Sequence, residues 1–142
     1  MSHSTNTNLI TLLKETRTIA VVGLSPKTDR ASHRVAAYMQ QAGYRIIPVR
    51  PGGMTILGEQ SYPSLQEIPK DIRIDMVDVF RRAEDTPPIA SAAVEIQAKG
   101  FWLQLGIRNK VAMETVKNAG LIPVEDLCLM VEHRRLADQL QG

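Results

Sequence analysis

The sequence predicts the α/β class: a doubly wound sheet of five parallel strands with helices on both faces. Three observations predict it. Strand-like and helix-like segments alternate along all 142 residues, with no internal repeat or linker. The helical segments end at glycines, namely Gly43, Gly100 and Gly120. The run "TIAVVG" (18–23) is apolar on both faces, as a strand inside a covered parallel sheet has to be. Such alternation implies right-handed crossovers. Numbered along the chain, the strands are expected in the order 3-2-1-4-5.

The elements follow in turn. "NLITLLKETR" (8–17) sets Leu9, Leu12 and Leu13 on one face of an amphipathic helix. "TIAVVG" is the first strand. Val35, Ala36, Tyr38 and Met39 have helical spacing within 31–42, and Gly43 stops that helix. "RIIPV" (45–49) is the second strand. The Gly- and Pro-rich segment 50–69 is a loop, with a short hairpin around "MTILGEQSY" and a single turn capped by Ser64 and Glu67. "IDMVDVF" (74–80) is the third strand. Pro87 and Pro88 begin a helix that runs through Ala98, with Gly100 as its stop. "FWLQLG" (101–106) is the fourth strand. Asn109 caps a helix over 110–119, "LIPV" (121–124) is the last strand, and 127–140 form the final helix. The chain therefore reads as one Rossmann-like domain over 1–142, with residues 1–8 as a flexible polar start.

Composition narrows the function classes. Apolar residues make up 44% and charged residues 23%, ordinary for a globular domain. Lys+Arg total 17 against 15 Asp+Glu, too small a surplus to argue for nucleic acid. Cys128 is the only cysteine, which excludes an internal disulfide and points to a reducing compartment. The polar start lacks a signal-peptide core, and no apolar run approaches the roughly 18 residues a membrane span needs. A cytoplasmic location is expected.

In a doubly wound sheet the ligand crevice lies beyond the carboxyl ends of the strands, where strand order reverses. Five stretches belong to that rim: 23–34, 49–53, 79–85, 105–109 and 123–128. In the first, Gly23 permits a tight turn, and Ser25, Lys27, Thr28 and Ser32 surround a helix start that favours an anion. Arg30 and Arg34 add charge. The plainer reading is that Ser32 or Asp29 caps the helix and Lys27 is solvated. Pro26 stands where a dinucleotide turn would carry further glycines, so a pyrophosphate is not held in the dinucleotide manner. In the second, Arg50 occupies the place of the acid that accepts the ribose hydroxyls of NAD. A guanidinium there suits a phosphorylated ribose, either the 2′-phosphate of NADP or the 3′-phosphate of coenzyme A. In the third, Arg81 and Arg82 end a strand whose Val79 and Phe80 can border an adenine or a pantetheine arm, and Glu84 is a partner for one arginine. In the fourth, Gly106 permits close approach, Gln104 is polar within an apolar strand, and Trp102 reads as core.

These residues carry a resemblance. "AVVGLSPKTDRASHRVAAYMQQAGYRIIPVRP", "ILGEQSYPSLQEIP", "IDMVDVFRRAED", "FWLQLGIRN" and "AGLIPVEDLC" together are similar to the small single-domain coenzyme A-binding proteins. That family's fold is shared with the CoA-binding domain of the succinyl-CoA synthetase α subunit. The resemblance implies a rim crevice for coenzyme A or an acyl-CoA. Gly23, Ser25 and Lys27 would form the phosphate turn, with Arg34 and Arg50 near it. Val49 and Pro51 would lie beside the nucleotide, and Arg81 and Gly106 farther along. The chain departs from the family pattern at Arg50, where Asn is usual, and at Leu127, where a basic residue is common.

No catalytic constellation accompanies the rim. His3, His33 and His133 sit in no pattern that pairs a base with a nucleophile, and His133 beside Glu132 reads as surface. No Cys/His spacing suits a metal. Cys128 has two readings: a stabilised thiolate at a helix start, or an inert thiol among Leu127, Leu129 and Met130. The expected function is thus a binding module for coenzyme A or an acyl-CoA, with a partner protein possible. The alternatives are an NADP-dependent reductase and a regulatory scaffold whose nucleotide site has decayed.

Overall fold

The structure is a computed structural model and describes residues 3–141, with side chains from Asn6 onward. In chain order the elements are α1 (His3–Glu15), β1 (Thr18–Val22), α2 (Ala31–Gln41) and β2 (Arg45–Val49). Next come the hairpin strands β3 (Thr55–Ile56) and β4 (Glu59–Gln60), then β5 (Met76–Val79) and α3 (Thr86–Glu95). The last four are β6 (Gly100–Leu103), α4 (Lys110–Asn118), β7 (Ile122–Val124) and α5 (Leu129–Leu140).

Five parallel strands form one sheet in the order β2-β1-β5-β6-β7. Counting only these principal strands, the order is 2-1-3-4-5 and not the expected 3-2-1-4-5. The reason lies on the outer edge of β2. Pro48 turns its carbonyl outward to accept the Tyr62 N–H at 3.0 Å, so the N–H that proline lacks would also point outward. Tyr62 then bridges Val49 and its carbonyl accepts the Arg50 N–H at 2.8 Å. With that edge filled by a loop, β5 pairs with the other side of β1, Ile19 opposite Met76 and Val22 opposite Val79. The reversal point consequently lies between β1 and β5. At the opposite edge the Ile122 N–H points inward to Lys99, so Pro123 occupies the outward position there.

Strand alternation divides the core into two layers. Ala20, Val22, Val77, Val79, Phe101 and Leu103 pack under α3 and α4. Ile19, Val21, Met76 and Trp102 pack under α1, α2 and α5. Trp102 is fully buried and its indole N–H donates to the Leu127 carbonyl at 2.8 Å, so it is core, as read from sequence.

Helix α1 begins at His3, so 3–8 are helical where a flexible start was expected; Met1 and Ser2 lie outside the described residues. α1 packs against α5, and Asn6 accepts a hydrogen bond from Arg135 at 3.0 Å, which ties down its early turns. α3 ends at Glu95, short of Ala98, with Gln97 taking the left-handed conformation at φ 63°. Gly100 is therefore not a helix stop. It opens β6, and a Cβ there would collide with the Leu12 methyls, so it seats α1 on the sheet. The hairpin forms as expected, its turn made by Leu57 and Gly58 with φ of 54° and 79°. Ser64 leads a short 3-10 turn over Leu65–Glu67, but its hydroxyl donates to the Glu67 carboxylate and leaves the backbone uncapped.

Asn109 caps α4 as expected, its side-chain oxygen accepting from the Ala112 N–H at 2.9 Å. Its amide N–H also donates to the Ala83 carbonyl at 2.9 Å, which joins α4 to the start of α3. Asn109→Ala is expected to lower stability by about 0.5–2 kcal/mol, the range for a lost cap. A urea midpoint unchanged from wild type would contradict this. Among the described residues no helix is long and apolar enough to cross a membrane.

Candidate functional site

The strand ends at the reversal point are drawn together by Gly23. Its φ is 87°, its N–H donates to the Val49 carbonyl at 2.9 Å, and a Cβ on it would overlap the Phe80 carbonyl oxygen. One residue thus clamps the ends of β1, β2 and β5 within van der Waals reach.

The turn that follows is held by its own side chains. Leu24 is fully buried and anchors it. The Ser25 N–H donates to the Ser32 hydroxyl at 3.0 Å, and the Ser25 hydroxyl accepts from the Lys27 N–H at 3.1 Å. Ser32 is therefore a brace for the turn and not a cap. Arg30 is the N-cap residue of α2 and makes no side-chain cap bond; Asp29 caps nothing either, its carbonyl accepting from Arg34. Among the described residues no side chain caps the first N–H groups of α2. Lys27, Thr28 and Arg30 are exposed beside them.

Two further arginines reach this turn from the neighbouring strands. Arg50, half-buried after β2, donates from Nε to the Pro51 carbonyl at 3.1 Å and from Nη1 to the Leu24 carbonyl at 3.5 Å. Arg81, after β5, lays its Cδ against Gly23, and its Nη2 lies 3.8 Å from the Asp85 carboxylate. Arg82 takes no part: it is exposed and pairs with Asp85 at 3.2 Å and Glu84 at 3.9 Å, a solvated charge cluster.

Between Arg81, the Pro63–Gln66 segment and α3 opens a cavity of about 230 Å³, lined by Val22, Val49, Leu65, Arg81, Ile89 and Ala92 among others. Sequence reasoning placed Val49 and Arg81 there but missed the wall at Pro63–Gln66. The Gly- and Pro-rich segment reads as a connection, and only the Tyr62 bridge to Val49 turns it back over the rim. Wider grooves lie elsewhere, such as the one between α4 and β7, but they collect none of the residues singled out at the reversal point.

The far end of the rim is engaged internally. Gly106, expected to admit a ligand, donates its N–H to the Asp126 carboxylate at 2.7 Å. Arg108 holds the other Asp126 oxygen at 3.0 Å. The Gly106 N–H first, and Arg108 after it, keep the Asp126 carboxyl below the usual carboxylate range. Cys128 heads α5 half-buried against the apolar layer, so both features weighed in the sequence are present. His133 is not a surface residue. It sits half-buried with Tyr38 and Tyr44, its Nδ1 2.9 Å from the Tyr38 hydroxyl, and burial pushes its pKa down. Glu132 turns away to Arg135.

Gly23, Ser25, Val49, Arg50 and Arg81 therefore meet at one point, with Lys27, Arg34 and Pro51 on its outer side and Gly106 apart. The sequence profile described as "CoA binding domain" matches residues 17–134, which contain every one of these positions. The chain belongs to the CoA binding domain family. It is 42% identical over 133 residues to an uncharacterized protein, YneT, of Bacillus subtilis (strain 168), covering 94% of this chain and 97% of that one. Among solved structures it is similar to a hypothetical protein from Pyrococcus horikoshii OT3, with 35% identity, a TM-score of 0.87, and 93% and 92% of the two chains covered. A Thermus thermophilus protein matches with 34% identity, a TM-score of 0.86, and 92% and 98% coverage. In this CoA binding domain Arg50 and Arg81 lie where β1, β2 and β5 end.

Proposed function

We propose that this CoA binding domain holds coenzyme A or an acyl-CoA along the rim, without catalysis of its own. The observation that carries the reading is the convergence of Arg50 and Arg81 on the Gly23 turn, with Arg81 also lining a cavity beside Val22 and Val49. The uncapped first N–H groups of α2 and Lys27 suit the pyrophosphate. Arg50 suits the ribose 3′-phosphate: among the described residues only backbone carbonyls engage it, so a phosphate would find an unneutralised guanidinium. The apolar cavity is too small for a whole coenzyme and takes one flat or narrow part of it, while the remainder follows the rim past Pro51.

Arg50 serves the 2′-phosphate of NADP by the same chemistry, so the ligand test compares both. Calorimetry is expected to show binding of coenzyme A, weaker binding of dephospho-coenzyme A and no heat from NADP. No heat from coenzyme A at millimolar concentration would end the proposal, and NADP as the tighter ligand would replace it with the reductase. Arg50→Ala should weaken coenzyme A by about 10- to 100-fold, the scale of one lost charge-assisted bond, and dephospho-coenzyme A little. Equal losses for both ligands would remove Arg50 from the phosphate site.

A further inference from the structure

β5 carries a carboxylic acid in the middle of the sheet. Asp78 stands between Val21 of β1 and Trp102 of β6 and is fully buried on the side covered by α1, α2 and α5. Its Oδ1 accepts from the Gln104 amide N–H at 2.6 Å. The other end of that amide is fixed too: Gln104 Oε1 accepts from the N–H of Leu129, the first residue of α5, at 3.4 Å. A backbone N–H can only donate, so the amide cannot be turned round. Asp78 Oδ2 is buried and has no partner among the described residues. A full negative charge with so few hydrogen bonds in such a place is strongly disfavoured, so the carboxyl holds its proton well above the ordinary carboxylate range.

We propose that Asp78 and Gln104 form a proton-dependent clasp that seats the first turn of α5 on the sheet. With the acid neutral, the chain from Asp78 through Gln104 to the Leu129 N–H is closed. Ionisation requires water at Oδ2. β1 and β6 cannot part to admit it without breaking their ladders with β5, whereas Leu129 is held to Gln104 by one long bond. The head of α5 therefore opens first, from Cys128 onward, while Gly106, Arg108 and the Trp102 indole keep Asp126 and Leu127 in place. Protonation state is in this way tied to the order of one end of the rim, whatever ligand the rim holds.

Burial pushes the Asp78 pKa up to about 7, opposed only in part by hydrogen bonds from Gln104 and the Val79 backbone N–H, and no charged neighbour contributes. The flanking strands β1 and β6 carry no ionisable residue. On α5, Glu132 is paired with Arg135, His133 with Tyr38, Arg134 lies over the Tyr38 ring, and Asp138 is the remaining charge. α2 brings His33 and Arg34, α1 brings Lys14 and Glu15, and Cys128 heads α5.

Carbon-detected NMR of the wild-type protein should show one aspartate carboxyl titrating near neutrality and absent from Asp78→Asn. Hydrogen exchange should show the protection factor of the Leu129 amide falling by up to about tenfold per pH unit above neutrality in wild type. In Asp78→Asn it should stay level. If every aspartate titrates in the ordinary range, or if Leu129 protection is independent of pH in wild type, the clasp does not exist. The wild-type measurements decide the matter even if Asp78→Asn does not fold.

Discussion

Gly23→Ala is expected to lose coenzyme A binding and to destabilise the fold by about 3–5 kcal/mol, near the top of the range for single substitutions. Two costs add. The φ of 87° is one that a side chain tolerates poorly, at about 1–3 kcal/mol. The new Cβ would also overlap the Phe80 carbonyl, and backbone tied to Val22 by the Phe80 N–H at 2.8 Å cannot move aside as a side-chain tip does. The end of β1 must then withdraw from β5, which opens the point where Arg50 and Arg81 meet. Gly43→Ala provides the comparison, since Gly43 has φ 109° but open space around it. Urea unfolding of the two variants separates backbone strain from overlap. Equal losses would mean that the approach of Gly23 to Phe80 is not what the turn depends on.

The second large effect is a fall in stability with rising pH. An unfolded chain releases the Asp78 proton near pH 4, whereas the folded protein keeps it to about pH 7. Between those values the folded state binds more protons, so each unit of pH costs it stability. The folded pKa is the raised one, and the contribution is therefore complete below pH 4 and lost by pH 7. A difference of roughly three units amounts to about 4 kcal/mol, a large part of the 5–15 kcal/mol that holds a domain together. Asp78→Asn removes the titration and should flatten the profile, overtaking wild type in stability on the alkaline side. A wild-type stability that rises steadily from pH 4 to pH 7 would show that the carboxyl is ionised in the fold. Asp126 works in the opposite sense, since its lowered pKa favours the folded state above the acid range.

Much of the architecture was legible because its signals are local. Thr18–Val22 is apolar on both faces, Asn109 precedes a helical pattern, and Leu57–Gly58 separates two short extended segments. These properties survive without knowledge of the neighbours. The strand order was not legible, because it depends on what fills the outer side of β2. Pro48 and Tyr62 decide that together, 14 positions apart, through one proline without an N–H. Gly100 misled for a similar reason, since its lack of a side chain serves Leu12 on a distant helix and not the end of α3. At the site, Gly23, Val49, Arg50 and Arg81 were readable from topology, each at or just after the end of a strand. Gly106 was readable only as a position, because its N–H is spent on Asp126, which a list of flexible residues does not reveal. Asp78 passed unnoticed because a polar residue alternating with valines looks like an ordinary half-exposed strand.

The prolines at the two margins of the sheet have a bearing on how copies of this chain behave toward each other. A parallel sheet of short apolar strands is a template for further strands, and an open margin invites a second molecule to zip on. Here each margin offers a gap in its row of donors, and on the β2 side Tyr62 already occupies the acceptor left over. The prolines at the two margins thereby disfavour the edge-to-edge pairing from which fibres grow.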